Sequence, residues 1–301
     1  MSGPLYIQQG SPHWWLSPAI WVTPVGDPAT KIANPIAGQD YTVWVQVQNR
    51  YPDPVDNSWN LFVCWTIPTA GSITVASITS NQILNGVISP IAGTVGLPIT
   101  TPIPGASGAT PSIVNLQAAK TWTPSYEHNG HECLIALAYF EQSIGGLPVS
   151  TLKGDAPWQQ TYTIAQHNLG VLPATHHMKL FQYPFQVCNA EHEERGFVIA
   201  ATQAPLSQIA EFLPGVPGGR KVLDRPGKVE HLGIIADAHP DRAESRASSA
   251  AHSSIKIAPH SCRAFTLTGS LPEGNALIHV TQSLDERVVG GLSVLVLAEA
   301  K

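Results

Sequence analysis

Tyr41-Thr42-Val43-Trp44-Val45-Gln46-Val47-Gln48-Asn49 alternates with a period of two. Tyr41, Val43, Val45 and Val47 fall on one face, so the stretch reads as a half-buried strand. Trp44 has the opposite parity, and its face is either exposed or packed on another layer. Downstream, Arg50 to Ser58 holds Pro52, Asp53, Pro54 and Asn57 and reads as a loop. Trp59 to Ile67 is then a second strand. Upstream, Ile20-Trp21-Val22-Thr23 reads as a strand that Pro24 confines to an edge or an end.

Working outward, strand signals dominate the chain. Cys133-Leu134-Ile135-Ala136-Leu137-Ala138-Tyr139-Phe140 is an unbroken apolar run, as expected of a central strand buried on both faces. Trp158 to Val171 reads as the closing strand of the first half. Between Ile88 and Pro111 stand five prolines and four glycines, which predict a long exposed loop after a short strand near Ile73–Ile78. In the second half, strands are expected at Lys179–Val187, Gly196–Thr202, Lys228–Ile235, Ser254–Ile257, Arg263–Leu267, Asn275–Gln282 and Leu292–Ala298. Pro205 to Leu213 is the one plausible short helix, with Pro205 suited to its first turn. Asp237–Ser253 lacks any apolar period and is expected to be a mobile loop.

Composition divides the chain. Of 301 residues, 12% are charged, against about 25% in ordinary soluble domains. Residues 1–172 carry 12 charges and all eight tryptophans; residues 173–301 carry 25 charges and no tryptophan. The reading is an all-β protein of two consecutive immunoglobulin-like β-sandwiches, residues 1–172 and 173–301, with long Pro/Gly-rich loops. Strand count alone does not separate this from a jelly roll or an open barrel. A hydrophobic share of 43% and a net charge of −5 argue against a disordered chain. The pI near 6.2 gives no basic footprint for nucleic acid. No run of about 18 apolar residues predicts membrane insertion. Met1-Ser2-Gly3-Pro4 lacks the basic start of a signal peptide, so the expectation is a cytoplasmic or leaderless exported chain.

The first half resembles the bacterial immunoglobulin-like family known as the cell-adhesion-related domain found in bacteria. The residues that carry the resemblance are Val47-Gln48-Asn49, Val63-Cys64-Trp65, Trp122-Thr123-Pro124, Gly130-His131-Glu132-Cys133-Leu134 and Ile164-Ala165-Gln166-His167-Asn168. Tyr51, Gln160-Thr161-Tyr162 and the Pro/Gly insert depart from the family pattern. In the second half, Phe185–Asn189 and Val288–Val294 look like the first and last strands of a similar sandwich. The family implies binding or spacer modules, with no shared active site to transfer.

Candidate chemistry is sparse. Cys64 and Cys133, then Cys188 and Cys262, are spaced by 69 and 74 residues, close to the span of an inter-sheet disulfide. Without a leader, buried free thiols are the favoured state. His128, His131 and Cys133 place three metal-ligand types in six residues, although the strand-entry motif accounts for His131 and Cys133. His176-His177, with His192 and Glu191, Glu193 and Glu194, is a histidine cluster near the joint that reads as solvated linker and hairpin. Asp53 and Asp56 share a loop and read as turn residues. Glu127, Glu132 and Glu141 are conceivable members of a glycosidase pair, but nothing selects them. Gly215 to Lys221 reads as a turn, since Pro217 breaks any phosphate loop. No nucleophile elbow, zinc-protease, P-loop, dinucleotide or EF-hand motif occurs, and no cofactor is expected.

Trp65 is assigned to the core. His13-Trp14-Trp15 either stands exposed or folds back and buries its indoles. Trp14, Trp15 and Trp44 are the candidate binding residues, because exposed tryptophan stacks on sugars or anchors protein interfaces. The expected function is a non-catalytic bacterial binding or assembly protein, acting in adhesion, surface display or a multi-protein particle. Its expected partner is another protein or a second copy. The alternatives are a carbohydrate-binding module and an enzyme without a recognisable motif.

Overall fold

The computed structural model describes residues 5–55, 59–70, 97–98, 103–126, 132–140, 162–173, 179–189, 191–216, 218–236 and 250–298. Their strands are β1 (Leu5–Tyr6), β2 (Ile20–Pro24), β3 (Tyr41–Asn49), β4 (Trp59–Thr66), β5 (Leu97–Pro98), β6 (Ser112–Gln117), β7 (Cys133–Phe140), β8 (Tyr162–His167) and β9 (Leu169–Pro173). There follow β10 (Leu180–Asn189), β11 (Arg195–Ala204), β12 (Glu230–Ala236), β13 (Ala250–Ile257), β14 (Ser261–Ser270), β15 (Asn275–Leu284) and β16 (Arg287–Leu297).

Four sheets result. In sheet I, β3 pairs with β1, β2 and β6; sheet II runs β5-β4-β7-β8. Sheet III runs β10-β14-β12, and sheet IV runs β13-β11-β15-β16-β9. The alternation of β3 puts Tyr41, Val43, Val45 and Val47 into a core shared with Leu61 and Val63 of β4 and Leu134, Ala136 and Ala138 of β7. Sheets I and II therefore pack face to face as a sandwich. Sheets III and IV do the same around Phe185, Phe265, Ile278, Val280 and Val294. The apolar run of β7 is buried from Cys133 through Ala138, as a central strand between β4 and β8 requires.

A third core forms where the N-terminal segment folds back, the alternative to exposed Trp14 and Trp15. Leu277, Leu295 and Val171 lie on the face of sheet IV turned away from sheet III. Trp15, Leu16 and Ala33 of the N-terminal half cover that face, together with Leu206, Ile209, Leu213, Val216 and Val222. The strand expected over Trp158–Val171 divides here. Its first part, β8, belongs to sheet II, while β9 pairs in parallel with β16 at the edge of sheet IV. Only Asn168 separates the two.

Several local expectations are corrected. The Pro205–Leu213 segment forms 3₁₀ turns at Leu206–Ile209 and Leu213–Gly215, followed by a third at Gly219–Asp224. Pro205, Pro214 and Gly215 keep the runs short, and tertiary burial of Ile209 and Leu213 replaces helix propensity. The Pro/Gly insert is not wholly exposed. Ile103 is fully buried and pairs with Val55, and Gly105 lies against the Pro52 carbonyl, where a Cβ has no room. Strand β6 follows immediately and was not anticipated. The expected strand at Ile73–Ile78 and most of the Asp237–Ser253 loop lie outside the described residues, but residues 250–253 belong to β13.

Cysteine pairing departs from the free-thiol expectation for one of the two pairs. Cys188 and Cys262 form a disulfide, whereas Cys64 and Cys133 are free and buried. The bridge joins directly opposed residues of neighbouring strands β10 and β14 in one sheet rather than linking two sheets. Register, which spacing does not encode, brings the pair together.

Candidate functional site

The outer face of sheet I follows from the other parity of β3. Trp44, Gln46 and Gln48 turn away from the core and are half-buried. Register aligns them with neighbours on both sides. Trp44 lies between Trp21 and Gln117, Gln46 is opposite Asn115, and Gln48 lies between Tyr6 and Ile113. Trp21 and Trp44 stack as a cross-strand pair, with rings 7° from parallel and centroids 6.4 Å apart. The Trp44 indole N–H donates to Thr23 Oγ1 at 3.0 Å, and Gln46 Nε2 donates to Asn115 Oδ1 at 3.3 Å. Lys31 Nζ sits 4.1 Å from the Trp21 ring centroid, and the Arg50 guanidinium lies 3.5 Å from that of Tyr6. The face is thus three aromatic rings among carboxamides, flanked by two cations. Ile113 adds an exposed apolar side chain.

Trp14 and Trp15 meet a different environment. Trp15 is 2% exposed, and its indole N–H donates to Ser293 Oγ at 2.9 Å. Its ring lies over Gly291, where an added Cβ would meet ring carbons at 2.6 Å. Trp14 packs edge-on against Trp15 and is partly buried in the same cluster. The N-terminal segment has folded back onto sheet IV. Of the three candidate binding tryptophans, Trp44 lies on the outer sheet face. Its partner Trp21 was missed, because the residue opposite Trp44 depends on register that sequence alone does not supply.

Under Trp15 runs a directional hydrogen-bond chain. Ser293 Oγ accepts from Trp15 and donates to His279 Nδ1 at 2.8 Å, and His279 Nε2 donates to Gln208 Oε1 at 2.6 Å. Burial, reinforced by neighbouring His13, pushes the His279 pKa down to about 3, so the ring is neutral. A hydroxyl on an imidazole is the beginning of a nucleophile pair. Here Ser293 has no exposed surface, so the chain positions Trp15 instead.

Beside the sheet face, a groove separates β2 from the 3₁₀ segment. It encloses about 190 Å³, and Trp21, Lys31, His167, Glu211 and Phe212 are among its walls. Burial raises the Glu211 pKa, and the nearby Lys31 charge opposes that rise. His167 donates through Nδ1 to the Ser17 carbonyl at 3.2 Å, which leaves Nε2 as an acceptor. A smaller cavity of about 20 Å³ lies behind, with Trp122 and Glu132 in its wall. The Ser125 N–H donates to Glu132 Oε1 at 2.6 Å, and burial raises this carboxyl's pKa to about 7. Of the three carboxylates named as glycosidase members, Glu132 is placed in a cavity, while Glu127 and Glu141 lie outside the described residues.

The remaining candidates disperse. Cys133 is fully buried, and His128, His131, His176 and His177 lie outside the described residues. Among the described residues, no group of three or more His, Cys, Asp or Glu is arranged to hold a metal ion. His192 pairs with His260 at the surface, with ring nitrogens 3.0 Å apart. Glu193 and Glu194 pair with Arg195 and Lys256 at exposed positions. Asp53 offers its backbone carbonyl to Asn49 Nδ2, in keeping with a turn, and Asp56 lies outside the described residues. No helix among the described residues is long and apolar enough to cross a membrane.

No family model matches the chain, and no curated protein matches it. Among solved structures, the chain is similar to the C-terminal domain of the antigen I/II-family protein AspA of Streptococcus pyogenes. That likeness has 8% identity and a TM-score of 0.21, and covers 96% of this chain and 99% of the other. It is also similar to the enterotoxigenic E. coli CFA/I adhesin CfaE, at 6% identity and a TM-score of 0.20, over 100% of this chain and 94% of the other. At these TM-scores the likeness carries no argument about function.

Proposed function

We propose that this chain is a non-catalytic bacterial binding or assembly module, of the kind used in adhesion or surface display, and that it engages its partner through the outer face of sheet I. The observation that carries this reading is the Trp21–Trp44 stack set among Gln46, Gln48, Asn115 and Gln117. Tryptophan supplies large contact area at low conformational cost, and carboxamides offer both donors and acceptors. Together they suit recognition by contact rather than bond making.

One specific feature favours a second reading, in which the partner is a carbohydrate. Aromatic rings interleaved with amides match the apolar faces and hydroxyls of sugars, and the two flanking cations are compatible with neutral or acidic glycans. A glycan array run beside sedimentation analysis distinguishes the cases. Glycan binding lost in Trp44→Ala supports the carbohydrate reading. Concentration-dependent self-association lost in the same variant supports assembly. A variant that retains every binding property of the parent overturns the assignment of this face.

A further inference from the structure

The groove beside the sheet face has a chemical signature distinct from that face. In the wall of the smaller cavity beside it, two residues each carry a buried polar atom without a partner: the indole Nε1 of Trp122 and Oε2 of Glu132. Trp122 is 2% exposed and Glu132 is 6% exposed. Native proteins leave few such atoms unsatisfied, and an orphan usually marks a missing water, ion or ligand. Both residues border the cavity of about 20 Å³, room for one water-sized group. A group that pairs with both atoms must accept from an indole N–H and satisfy a carboxyl oxygen at once. A hydroxyl does both.

The inner cavity shares Ile32, Ala33 and His167 with the groove of about 190 Å³ in front of it. For scale, a dry cavity of about 150 Å³ holds benzene, so the groove accommodates one ring rather than a chain. Trp21 and Phe212 provide aromatic wall, and Lys31 and Glu211 oppose each other in charge. An anionic ligand meets the carboxyls of Glu211 and Glu132. A cationic ligand meets Lys31 and the indole donor. A purely apolar ligand leaves the two inner orphans unsatisfied. A neutral ring that is apolar on its faces and bears hydroxyls at its rim meets every group.

We propose that this groove binds a single neutral saccharide residue, its ring against Trp21 and Phe212 and one hydroxyl bridging Trp122 Nε1 and Glu132 Oε2. The proposal takes its ligand class from the carbohydrate reading of the sheet face, but it places the ligand in the groove. Lys31, Glu211 and the free Nε2 of His167 serve the remaining hydroxyls.

The test is nuclear magnetic resonance on the full chain, following the tryptophan indole N–H signals. The probes are the methyl glycosides of glucose, galactose, mannose and N-acetylglucosamine. The expected result is a saturable shift of the Trp122 and Trp21 signals with at least one glycoside. Affinity should fall tenfold or more in Glu132→Leu and in Glu211→Ala. Glu211 is at the surface, so its variant stays informative if Glu132→Leu folds poorly. Binding that survives both groove substitutions but is lost in Trp44→Ala overturns the groove assignment and leaves the carbohydrate reading intact. If no glycoside shifts any indole signal, this inference falls and the carbohydrate reading loses its support from single sugars.

Discussion

Sheet IV turns Leu277, Leu295, Val171 and Ser293 away from its partner sheet, and all four are buried. Sheet I turns Trp21, Trp44, Gln46 and Gln48 away from its own partner, and these stay half open. The backbone logic is the same in both. What differs is the price in water: leaving a leucine exposed forgoes about 1.5–3 kcal/mol, so an apolar second face recruits a cover. A face of carboxamides and stacked indoles has a weaker drive, because its rings already cover one another and its polar groups pair along the sheet. The N-terminal segment therefore lies on sheet IV, and the described residues leave the outer face of sheet I half open.

The sharpest way to break the comparison is to truncate one tryptophan on each face. Trp15→Ala removes a buried ring and the donor to Ser293, and should cost about 3–5 kcal/mol in urea unfolding. A loss below about 1 kcal/mol would mean that the cover is not integral to sheet IV. The hydrogen-bond chain under Trp15 should also be sensitive to acid. His279 is held neutral with a pKa near 3, while the unfolded chain binds the proton from about pH 6.5 downward. Stability conferred by neutral His279 is thus present above pH 6.5 and is lost as pH falls, by on the order of 3 kcal/mol at pH 4. His279→Gln should flatten that part of the pH profile.

Glu132 tests the seam between the two faces with the opposite sign. Its folded pKa lies near 7, above the ordinary 4.5. The native state keeps a proton that the unfolded chain has released, so stability falls as pH rises from about 4.5 through 7. The drop is on the order of 3 kcal/mol. Glu132→Gln should match the parent near pH 4.5 and exceed it at pH 8 in thermal denaturation. The smallest effect belongs to the open face. Trp44→Ala should cost about 1 kcal/mol or less, while removing partner binding. A cost equal to that of Trp15→Ala would erase the distinction between the faces.

Much of the first sandwich was legible because its strands state their periods openly. Tyr41–Asn49 alternates and is half-buried; Cys133–Phe140 does not alternate and is buried on both faces. Trp65, assigned to the core by likeness to the strand tryptophan of immunoglobulin-type sandwiches, packs against that core and is partly buried. What stayed hidden depends on contacts distant in sequence. The stack of Trp21 on Trp44, the bridge from Cys188 to Cys262 and the move of Leu169–Pro173 to another sheet are all matters of register. Glu132 was one of three carboxylates with nothing to choose among them until Trp122 was placed beside the same cavity. The 3₁₀ segment misled because its apolar residues, Leu206, Ile209 and Leu213, are spaced like those of a short helix.

Asn168 sits where β8 leaves one sheet and β9 enters another. Its amide donates to the carbonyls of Thr69 and Gly291, and its backbone bonds to Trp15 and Ser293. These partners leave the ribosome at very different times, since Trp15 precedes Ser293 by 278 residues. Until β16 is made, β9 is a strand without its neighbour and Trp15 an indole without its cover. The newborn chain thus passes through a stage with an open strand edge and exposed apolar surface, the condition under which nascent proteins pair wrongly or call on chaperones.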